Sequence, residues 1–587
     1  MMANRKAKKL CVDDICGFLE RENESESDFS LSESEFELDS SSSGAYESSA
    51  EELSDSVCLD NSLQNISSHT PEHHFQWTKW DDNQADEDMC GKPLFSGVAG
   101  ICVPLPSNVS PLQCFELFFS DDFVQYIVVE TNRYANKWLQ DALNSGVSKN
   151  ARIMLWHDAC EKEVRLFIAL ILAMGIISKP ELKLYWTRDY ILQTPIFHET
   201  FSLRRFQLLL RYLHFVNDED ADNNDRLRKI RPLLEMLRTS FRKTYMPEQN
   251  ISVDESLMLF KGRLLMKQYI PLKRARFGIK IFFVCESKSG YAWDFFIYTG
   301  QGEERRGGES NSQKLISHAS VTKLVLCPEL IGKGYVVFMD RWFSSPMLFH
   351  ELQHHGFGAC GTVDLRRKEM PKELQATTMK KGDVLCYTSG IYSAIKWRDK
   401  KDVAVLSTIH RGRTCDTGKI DRKTKEVVKK PEAVIEYNAN MGGVDRLDQK
   451  LQPYECLRKS VRWYRKLFFH LMDITVVNAH IVYEKSGGEK CSLLQFRHKV
   501  IHGLLEKYAM ERKSFKGGRP SKTDPPARLT ERHFPTHIPP TAKKKFPSRV
   551  CRVCPGRKET RWECKECGNI PLHPEGCFEI FHTKRKY

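Results

Sequence analysis

The stretch Asn250-Ile251-Ser252-Val253-Asp254 is an extended, mostly apolar run that stops on a carboxylate. Segment 335–339 has the same pattern and is followed by Asp340. Short apolar runs of this kind predict buried β-strands. We therefore expect Asp254 and Asp340 to lie at the ends of two strands.

Two further aspartates, Asp445 and Asp448, follow the turn-like segment 440–444 and are expected to open a helix. Folding can bring Asp254, Asp340 and Asp445 to one point. At about 4 Å and an effective dielectric constant near 20, two ionised carboxylates repel by roughly 4 kcal/mol. Such a cluster is stable if the groups are protonated or if divalent cations lie between them. Nucleases use two cations about 3.5–4 Å apart to catalyse displacement at a phosphate.

The sequence motifs around these aspartates resemble those of a known family. The relevant strings occupy residues 250–256, 261–263, 273–280, 285–291, 339–345 and 441–449. In this order they resemble the three catalytic blocks of piggyBac-type transposases, and the C-terminal cysteine segment is similar to that family as well. The resemblance covers roughly residues 108–587.

The resemblance implies an α/β protein with an RNase H-like catalytic core, in which helices flank a mixed sheet. A small β-rich insertion is expected to interrupt this core. Helical segments for DNA binding and dimerisation, and a C-terminal cross-brace zinc module, complete the expected architecture.

The implied chemistry is that of a metal-dependent DNA transposase. Asp254, Asp340 and Asp445 would bind two Mg²⁺ ions and Asp448 would assist, whereas Glu255 would support a ligand rather than be one. The reaction implied is cut-and-paste strand cleavage, hairpin formation and strand transfer at TTAA sites. The expected partners are double-stranded DNA with terminal inverted repeats, TTAA target DNA and a second copy of this chain.

Some residues depart from the family pattern. Arg341 and Trp342 follow the second aspartate, where the family often has Asn and then Phe or Tyr. Asp364 stands where the family usually has a basic residue, although the basic triplet 366–368 lies nearby. These departures leave open an alternative function, a domesticated and catalytically silent protein that binds DNA or chromatin.

Composition points to a polyanionic partner. The net charge is +13, although residues 20–60 contain 14 Asp and Glu and a single Arg, so the remainder is strongly basic. No stretch reaches 18 apolar residues, and the longest, 166–177, is predicted to be a buried helix. The N-terminus shows no signal-peptide pattern. With 19 cysteines, five of them in the last 37 residues, we expect reduced thiols and a nuclear protein without membrane contact.

Patterning along the chain predicts its organisation. Helices are expected at 113–143, 161–177, 204–213, 226–245, 348–355 and 457–485, and strands at 277–285 and 291–298. The predicted domains are a disordered acidic tail (1–107), a helical dimerisation and DNA-binding domain (108–249 and 455–514), a catalytic domain (250–364 and 431–454), an insertion (365–430), a basic linker (515–549) and a zinc-binding domain (550–587).

The terminal segment has the spacing of a zinc module. Its seven candidate ligands are Cys551, Cys554, Cys564, Cys567, His573, Cys577 and His582. Two Cys-x₂-Cys pairs this close are a strong signal for Zn²⁺, and two zinc ions are expected. In so short a segment, metal binding must provide much of the folding energy. Seven ligands are one short of two tetrahedral sites, so either a ligand is unassigned or the second site is incomplete. A ubiquitin ligase or a histone-tail reader would use similar spacing.

Basic and aromatic residues near the aspartates are candidates for DNA contact. They are Lys261, Arg263, Lys273, Arg274, Arg276, Arg366, Arg367, Lys368, Arg458, Arg462 and Trp463. Lysine and arginine would neutralise phosphates. Trp463 resembles a family tryptophan near the active site, where stacking on an unpaired base would help a hairpin turn; its alternative role is helix packing.

Overall fold

The structure is a computed structural model. It describes residues 73–81, 91–146, 148, 151–219, 222–271, 273, 275–300, 316–420, 425, 427–455, 462–509 and 532–584. The chain divides into two units, Met1–Met510 and Glu511–Tyr587, and each is considered by itself.

The first unit is built on a mixed sheet of ten strands. The strands of this unit are β1 Thr78–Lys79, β2 Gly100–Ile101, β3 Tyr245–Met246, β4 Asn250–Leu259, β5 Lys267–Tyr269, β6 Phe277–Glu286, β7 Ala292–Ile297, β8 Val336–Met339, β9 Gly358–Thr362, β10 Val384–Ser389, β11 Tyr392–Arg398, β12 Asp402–Ser407, β13 Thr414–Ile420 and β14 Val427–Pro431. The main sheet runs in the order β1-β10-β11-β12-β9-β8-β4-β6-β5, and β7 also pairs with β6. Strand β8 is parallel to both of its neighbours, β4 and β9, and the other pairings are antiparallel.

Helices flank this sheet. They are α1 Pro111–Glu116, α2 Asp121–Asn144, α3 Glu161–Ile176, α4 Pro195–Thr200, α5 Leu203–Tyr212, α6 Arg231–Thr244, α7 Ile316–Val325, α8 Pro346–His354, α9 Lys372–Ala376, α10 Glu432–Asn440, α11 Gly443–Leu451, α12 Trp463–Lys485 and α13 Leu493–Lys507. Short 3₁₀ helices lie at Arg152–Leu155, Leu182–Trp186 and Gln452–Tyr454. None of the helices in the described ranges is long and apolar enough to cross a membrane.

Two long helices form the centre of the helical layer because their sequences are apolar on almost every side. Helix α3 is buried from Glu163 to Met174, as expected of the longest apolar run. Helix α12 is buried over most of its length. Its one deeply buried carboxylate, Asp473, pairs with Arg497 of α13 at 2.8 Å. A buried charge needs such a partner, so this ion pair fixes how α13 packs on α12.

The predicted helices and strands are present with shifted boundaries. The helix expected at 113–143 is two helices, because Ser120 caps a new one by accepting the N–H of Phe123 at 3.3 Å. The helix expected at 348–355 begins at Pro346, since the Ser345 hydroxyl accepts the N–H of Leu348. The Ser289-Gly290 turn lies between β6 and β7, as expected.

The placement of Asp254 corrects one expectation. Asp254 lies in the middle of β4 and not at its end, because the strand continues to Leu259 while paired with β6. Asp340 does follow the last residue of β8. The carboxylate of Asp254 is therefore held by a strand that is hydrogen-bonded on both sides.

The described part of the predicted tail also differs from expectation. Residues 73–81 and 91–107 pack on the sheet, while residues 1–72 and 82–90 lie outside the described residues. Strand β1 pairs with the sheet edge at β10, and the Trp80 N–H donates to the carbonyl of Cys386 at 3.0 Å. Gln249 donates its amide to the carbonyl of Pro93 at 2.8 Å. The edge of β10 provides the partner of β1, and a side-chain amide provides that of Pro93. Composition alone reveals neither contact.

The segment predicted as an insertion contributes to the same sheet. Strands β10, β11 and β12 extend it beyond β9, and only β13 and β14 form a separate two-stranded ribbon. The insertion is thus continuous with the sheet that carries Asp254.

The second unit is small. Its strands are β15 Pro535–His537, β16 Arg549–Val550, β17 Glu559–Thr560, β18 Trp562–Cys564 and β19 Ile570–Pro571, followed by helix α14 Cys577–Thr583. Its buried apolar core consists of Cys551, Cys564, Leu572 and Phe581. Half of that core is cysteine, so apolar burial alone is a weak source of stability for this unit.

Candidate active site and metal centres

Strand β4 presents polar side chains on one face. Side chains alternate along a strand, so Ser252, Asp254 and Ser256 share a face and Glu255 lies on the opposite one. Both serines are buried. The charge of Glu255 nevertheless acts on Asp254, whose pKa it helps to raise. That Glu255 supports a ligand rather than being one stays a prediction.

Strand β8 brings Asp340 next to Asp254. The two strands are parallel, and Val253 is paired with Met339, so the next residue on each strand is an aspartate. Neighbouring strands lie about 4.8 Å apart. The Asp340 carboxylate accepts the N–H of Trp342 at 2.8 Å, which orients it after the strand ends.

Helix α11 carries the other two aspartates onto this face of β4. Gly443, its first residue, lies so close to the strand that an added Cβ would be 2.2 Å from the Ser252 Oγ. Arg446 donates to the carbonyl of Ser287, and Lys450 donates to that of Ser289 at 3.0 Å. These contacts tie the helix to the β6–β7 turn.

The close approach of Gly443 leads to a stability prediction. We expect Gly443→Ala to destabilise the first unit by about 1–3 kcal/mol, because the methyl group overpacks the contact with Ser252. The Ser252 hydroxyl is buried without a hydrogen-bond partner among the described residues, so removing it costs little. The double variant Gly443→Ala/Ser252→Ala should recover much of the loss in thermal unfolding. If the changes in unfolding free energy of the two single variants simply add up in the double variant, this contact is contradicted.

A hydrogen bond fixes Asp448. The Ser256 hydroxyl donates to the Asp448 Oδ1 at 2.6 Å, joining residues that are 192 positions apart in the chain. Asp445, three residues earlier on the helix, is exposed. The structure therefore brings all four predicted aspartates to one face of β4 or to the loop beside it.

Burial, more than the neighbouring like charges, shifts the pKa values of the carboxyl groups at this site. Burial, together with the charges of Glu255 and Asp340, raises the pKa of Asp254 to about 8 against the opposing effect of Lys273. Burial also raises the pKa of Asp448 to about 6, although the Ser256 hydrogen bond lowers it. Burial raises the pKa of Asp340 as well, opposed by the N–H groups of Trp342 and Phe343.

These shifts predict that the metal-free protein loses stability as pH rises. A carboxyl whose pKa is higher in the folded than in the unfolded chain favours folding at low pH, and this contribution is lost as pH rises through the folded pKa. From pH 5.5 to pH 8.5 without Mg²⁺, we expect the Tm of the wild type to fall by several degrees relative to Asp254→Asn. Adding Mg²⁺ at pH 8.5 should reverse the fall. Parallel pH profiles of the two proteins would contradict the burial of this charge.

Two lysines partly balance the acidic groups. Lys273 donates to the backbone carbonyl of Glu255 at 2.9 Å, and its pKa is raised by Asp254, Glu255, Asp448 and Asp445, against burial, which lowers it. Lys280 lies 3.9 Å from the Glu255 carboxylate and 4.2 Å from the centre of the Trp342 ring. Burial lowers the pKa of Lys280. Two half-buried lysines thus lie among the acidic groups of the site.

The carboxylates share one site without meeting at one point. Within the described ranges, groups of three or more ligand atoms that all lie within 4.8 Å of one another are formed by Cys and His alone. Asp254, Asp340, Asp445 and Asp448 all offer the oxygen donors that Mg²⁺ prefers. The raised pKa values of Asp254, Asp340 and Asp448 indicate that a cation would be favourable there, so the residues fit a divalent metal.

The residues that depart from the family pattern are engaged within the chain. Arg366 contacts Asp364 with two guanidinium nitrogens, at 3.1 and 3.0 Å, and holds the pKa of that carboxyl down to about 2. Arg367 donates to the carbonyl of Trp342 at 2.6 Å. Lys368 is exposed. Asp364 thus neutralises one of the cations that were expected to compensate for it.

The predicted DNA-contact residues divide into exposed and packed groups. Lys261, Arg263 and Arg276 are exposed near β5, whereas Arg274 and Arg458 lie outside the described residues. Arg462 donates to the Tyr134 hydroxyl at 3.1 Å. Trp463 is half-buried and packs against the helical core at the start of α12.

The second unit contains two groups of four Cys and His side chains. One consists of Cys551, Cys554, His573 and Cys577, and the other of His533, Cys564, Cys567 and His582. In each group the ligand atoms lie within 4.8 Å of one another. The two groups alternate along the chain, which is the order of a cross-brace.

His533 supplies the eighth donor that the spacing of the cysteine segment lacked. It lies before the segment predicted to bind zinc, and its Nδ1 is 3.5 Å from the Cys564 Sγ and 3.4 Å from the Cys567 Sγ. Only the clustering of His533 and His537 in a proline-rich stretch could have indicated it. Sequence alone could not choose between those two histidines.

The ring orientations suit metal binding. His573 Nε2 contacts the carbonyl of Glu559 at 3.1 Å, leaving Nδ1 beside the Cys554 Sγ at 3.3 Å. His582 Nδ1 contacts the carbonyl of Phe578 at 2.7 Å, leaving Nε2 beside the Cys567 Sγ at 3.4 Å. A ligating histidine usually donates its other ring N–H in this way. Both groups therefore fit a tetrahedral metal with sulfur and nitrogen ligands.

Comparison with known proteins places this geometry in a family. A family model described as "Transposase IS4" matches residues 110–480, which include all four aspartates. Human "PiggyBac transposable element-derived protein 2" is 28% identical over 414 residues, or 68% of this chain and 66% of that relative. Human "PiggyBac transposable element-derived protein 3" is 25% identical over 497 residues, or 81% of this chain and 76% of the relative.

The chain belongs to the piggyBac transposase family. Among solved structures, a cryo-EM structure of a piggyBac transposase synaptic complex with hairpin DNA matches it with a TM-score of 0.61 and 23% identity. The match covers 82% of this chain and 100% of that one. At this identity the likeness shows a shared fold, a large mixed sheet flanked by helices. Membership of the piggyBac family implies the use of a divalent metal.

Proposed function

We propose that this protein is a metal-dependent DNA transposase whose active site lies between β4, the end of β8 and helix α11. The observation that carries the proposal is the Ser256–Asp448 hydrogen bond, because it docks the helix with Asp445 and Asp448 on the face that carries Asp254. A merely structural contact gains nothing from bringing together aspartates from three separate parts of the chain, since their mutual repulsion costs stability.

Within this proposal each residue has a role. Asp254, Asp340 and Asp445 would hold two Mg²⁺ ions, and Asp448, oriented by Ser256, would assist. When bound, the metal ions supply charge stabilisation for in-line displacement at a phosphate and lower the pKa of bound water. Lys273 and Lys280 would limit repulsion between the carboxylates before DNA binds.

The strand arrangement supports an RNase H-like core. The antiparallel strands β7, β6 and β4 are followed across the sheet by the parallel strands β8 and β9. Asp254 lies on the central strand and Asp340 follows its parallel neighbour. We propose that residues 250–364 and 431–454 form the catalytic domain, and that the helices of 108–249 and 455–514 serve DNA binding and dimerisation.

The proposed reaction is cut-and-paste cleavage with hairpin formation and strand transfer at TTAA sites. Its partners would be double-stranded DNA with terminal inverted repeats, TTAA target DNA and a second copy of the chain, and its location the nucleus. The basic charge of the chain and the family of its relatives support this assignment.

We also propose that the second unit binds two Zn²⁺ ions. The two groups of four donors and the backbone contacts of His573 and His582 support this. Lys543, Lys544 and Lys545 are exposed in the same unit and would add phosphate contacts if it recognises a transposon end.

A cleavage assay tests the proposed activity. The full chain would be incubated with Mg²⁺ and labelled duplexes that carry inverted repeats next to TTAA. We expect nicks that leave a 3′-hydroxyl, followed by hairpin products on a denaturing gel. DNA binding without any cleavage, across repeats taken from genomic copies flanked by TTAA, would reject the enzyme.

The alternative is a domesticated protein that binds DNA without cutting it. Two observations favour it: Asp364 neutralises Arg366, and in the described ranges no three of the carboxylates lie within 4.8 Å of one another. This protein would bind the same duplexes with or without Mg²⁺ and leave them intact.

A further inference from the structure

An exposed aromatic pair lies at the outer edge of the main sheet. Tyr269 of β5 is 56% exposed and Phe277 of β6 is 44% exposed, and the two residues are directly paired in the ladder. Their ring centres are 4.7 Å apart with an angle of 35° between the planes. Leu265 beside them is 86% exposed. Large apolar side chains that stay in solvent on paired strands point to an interaction surface.

The surroundings of this pair are basic. The Lys267 ammonium lies over the Phe277 ring at 5.6 Å, and it also donates to the carbonyl of Gly262 at 3.1 Å. Lys261, Arg263 and Arg276 are exposed nearby. Within the described ranges none of these four cations forms an ion pair with a carboxylate. The patch is therefore complementary to a polyanion with flat apolar groups.

Strand geometry relates the pair to the proposed active site. Phe283 of β6 is paired with Asp254, and Phe277 lies on the same face of β6 because side chains alternate. Roughly 20 Å separates these positions along the strand, at a rise of about 3.4 Å per residue. That distance corresponds to about six base steps of duplex DNA. DNA engaged at Asp254 can therefore extend along the sheet to the aromatic pair.

We propose that Lys267, Tyr269 and Phe277 form a second DNA contact, in which an exposed ring stacks on a base and Lys267 binds a phosphate about six nucleotides from the cut. This inference rests on the proposed function, and it identifies a DNA base and a phosphate as the groups that this patch binds. Aromatic rings suit an unpaired or splayed base, because every base has a flat face. The competing explanation is a cross-strand pair that only stabilises the hairpin.

The test uses the full chain and hairpin-ended DNA that carries 2-aminopurine at single positions four to eight nucleotides from the cut. We expect the 2-aminopurine fluorescence to be quenched at one or two adjacent positions. This quenching should be lost in Tyr269→Ala/Phe277→Ala. Affinity should fall about 5- to 100-fold in that variant with an unchanged salt dependence. Lys267→Gln should instead reduce the logarithmic salt slope by roughly 0.7–0.9.

Two controls separate stacking from folding. Tyr269→Phe should keep the quenching, while Tyr269→Leu/Phe277→Leu should lose it with an unchanged Tm. Ile420→Ala, at an apolar side chain of β13 that is 64% exposed, should leave both affinity and quenching as in the wild type. Quenching and affinity that survive in the double alanine variant would overturn the inference.

The same DNA distinguishes failure of this contact from failure of the proposed function. If the wild type cleaves with Mg²⁺ but shows no quenching at any position, the stacking contact is wrong and the enzyme stands. If quenching occurs without cleavage, the contact stands and the proposed activity is wrong.

Discussion

Asp254→Asn is expected to reduce Mg²⁺-dependent DNA cleavage on the order of 10³-fold or more, because it removes a charged metal ligand without changing the side chain's size. Asp340→Asn and Asp445→Asn should cause losses of similar size. DNA binding should persist in all three, since neutralising a carboxylate in a basic protein does not weaken its attraction for phosphate. Single-turnover cleavage and equilibrium binding of the same labelled duplex measure the two properties separately.

The matched control is Asp402→Asn. Asp402 is also a carboxylate on the main sheet, but it is exposed at the start of β12 and bound by Arg398 at 2.6 Å. Its variant should cleave like the wild type. If Asp402→Asn and Asp254→Asn lose activity equally, the loss reflects general destabilisation and the proposed assignment of Asp254 fails.

His533→Ala is expected to release one of two zinc equivalents and to unfold the second unit. Structural zinc contributes on the order of 10–16 kcal/mol to the folding of small modules, and the apolar core here is only Cys551, Cys564, Leu572 and Phe581. Zinc content by mass spectrometry and limited proteolysis of the full chain would measure both effects. We expect the variant to be cut between residues 532 and 584, where the wild type resists.

His537→Ala is the matched control for the zinc prediction. His537 lies four residues away and contacts Trp562 with ring centres 3.8 Å apart, but it belongs to neither group of ligands. This variant should keep both zinc equivalents. Two equivalents retained in His533→Ala would assign the eighth ligand elsewhere.

The predictions made from sequence succeeded where the signal was local. Apolar runs before Asp254 and Asp340 identified two strands of the sheet, and the turn before Asp445 marked the start of a helix. The strand end was misplaced at Asp254 because polar residues within a strand are tolerated when a helix covers them. The pattern of apolar and polar residues along the chain does not show which side chains a helix will cover.

What sequence patterns missed depends on contacts between distant segments. The partner of Ser256 is 192 positions away, and His533 lies outside the cysteine spacing that it completes. Residues 91–107 were assigned to a tail, although Gln249 and strand β3 hold them. In each case the deciding partner is remote, so no window of neighbouring residues contains it.

The long separation between Ser256 and Asp448 also has a consequence for biosynthesis. A ribosome completes β4, β6 and β8 well before it reaches helix α11. A nascent or prematurely terminated chain therefore carries only two of the four active-site aspartates, Asp254 and Asp340. Under the proposed function, messages truncated before residue 443 would encode products that are inert toward a genome. The ability to cut DNA would then be acquired late in translation, in a single step, when helix α11 has been synthesised.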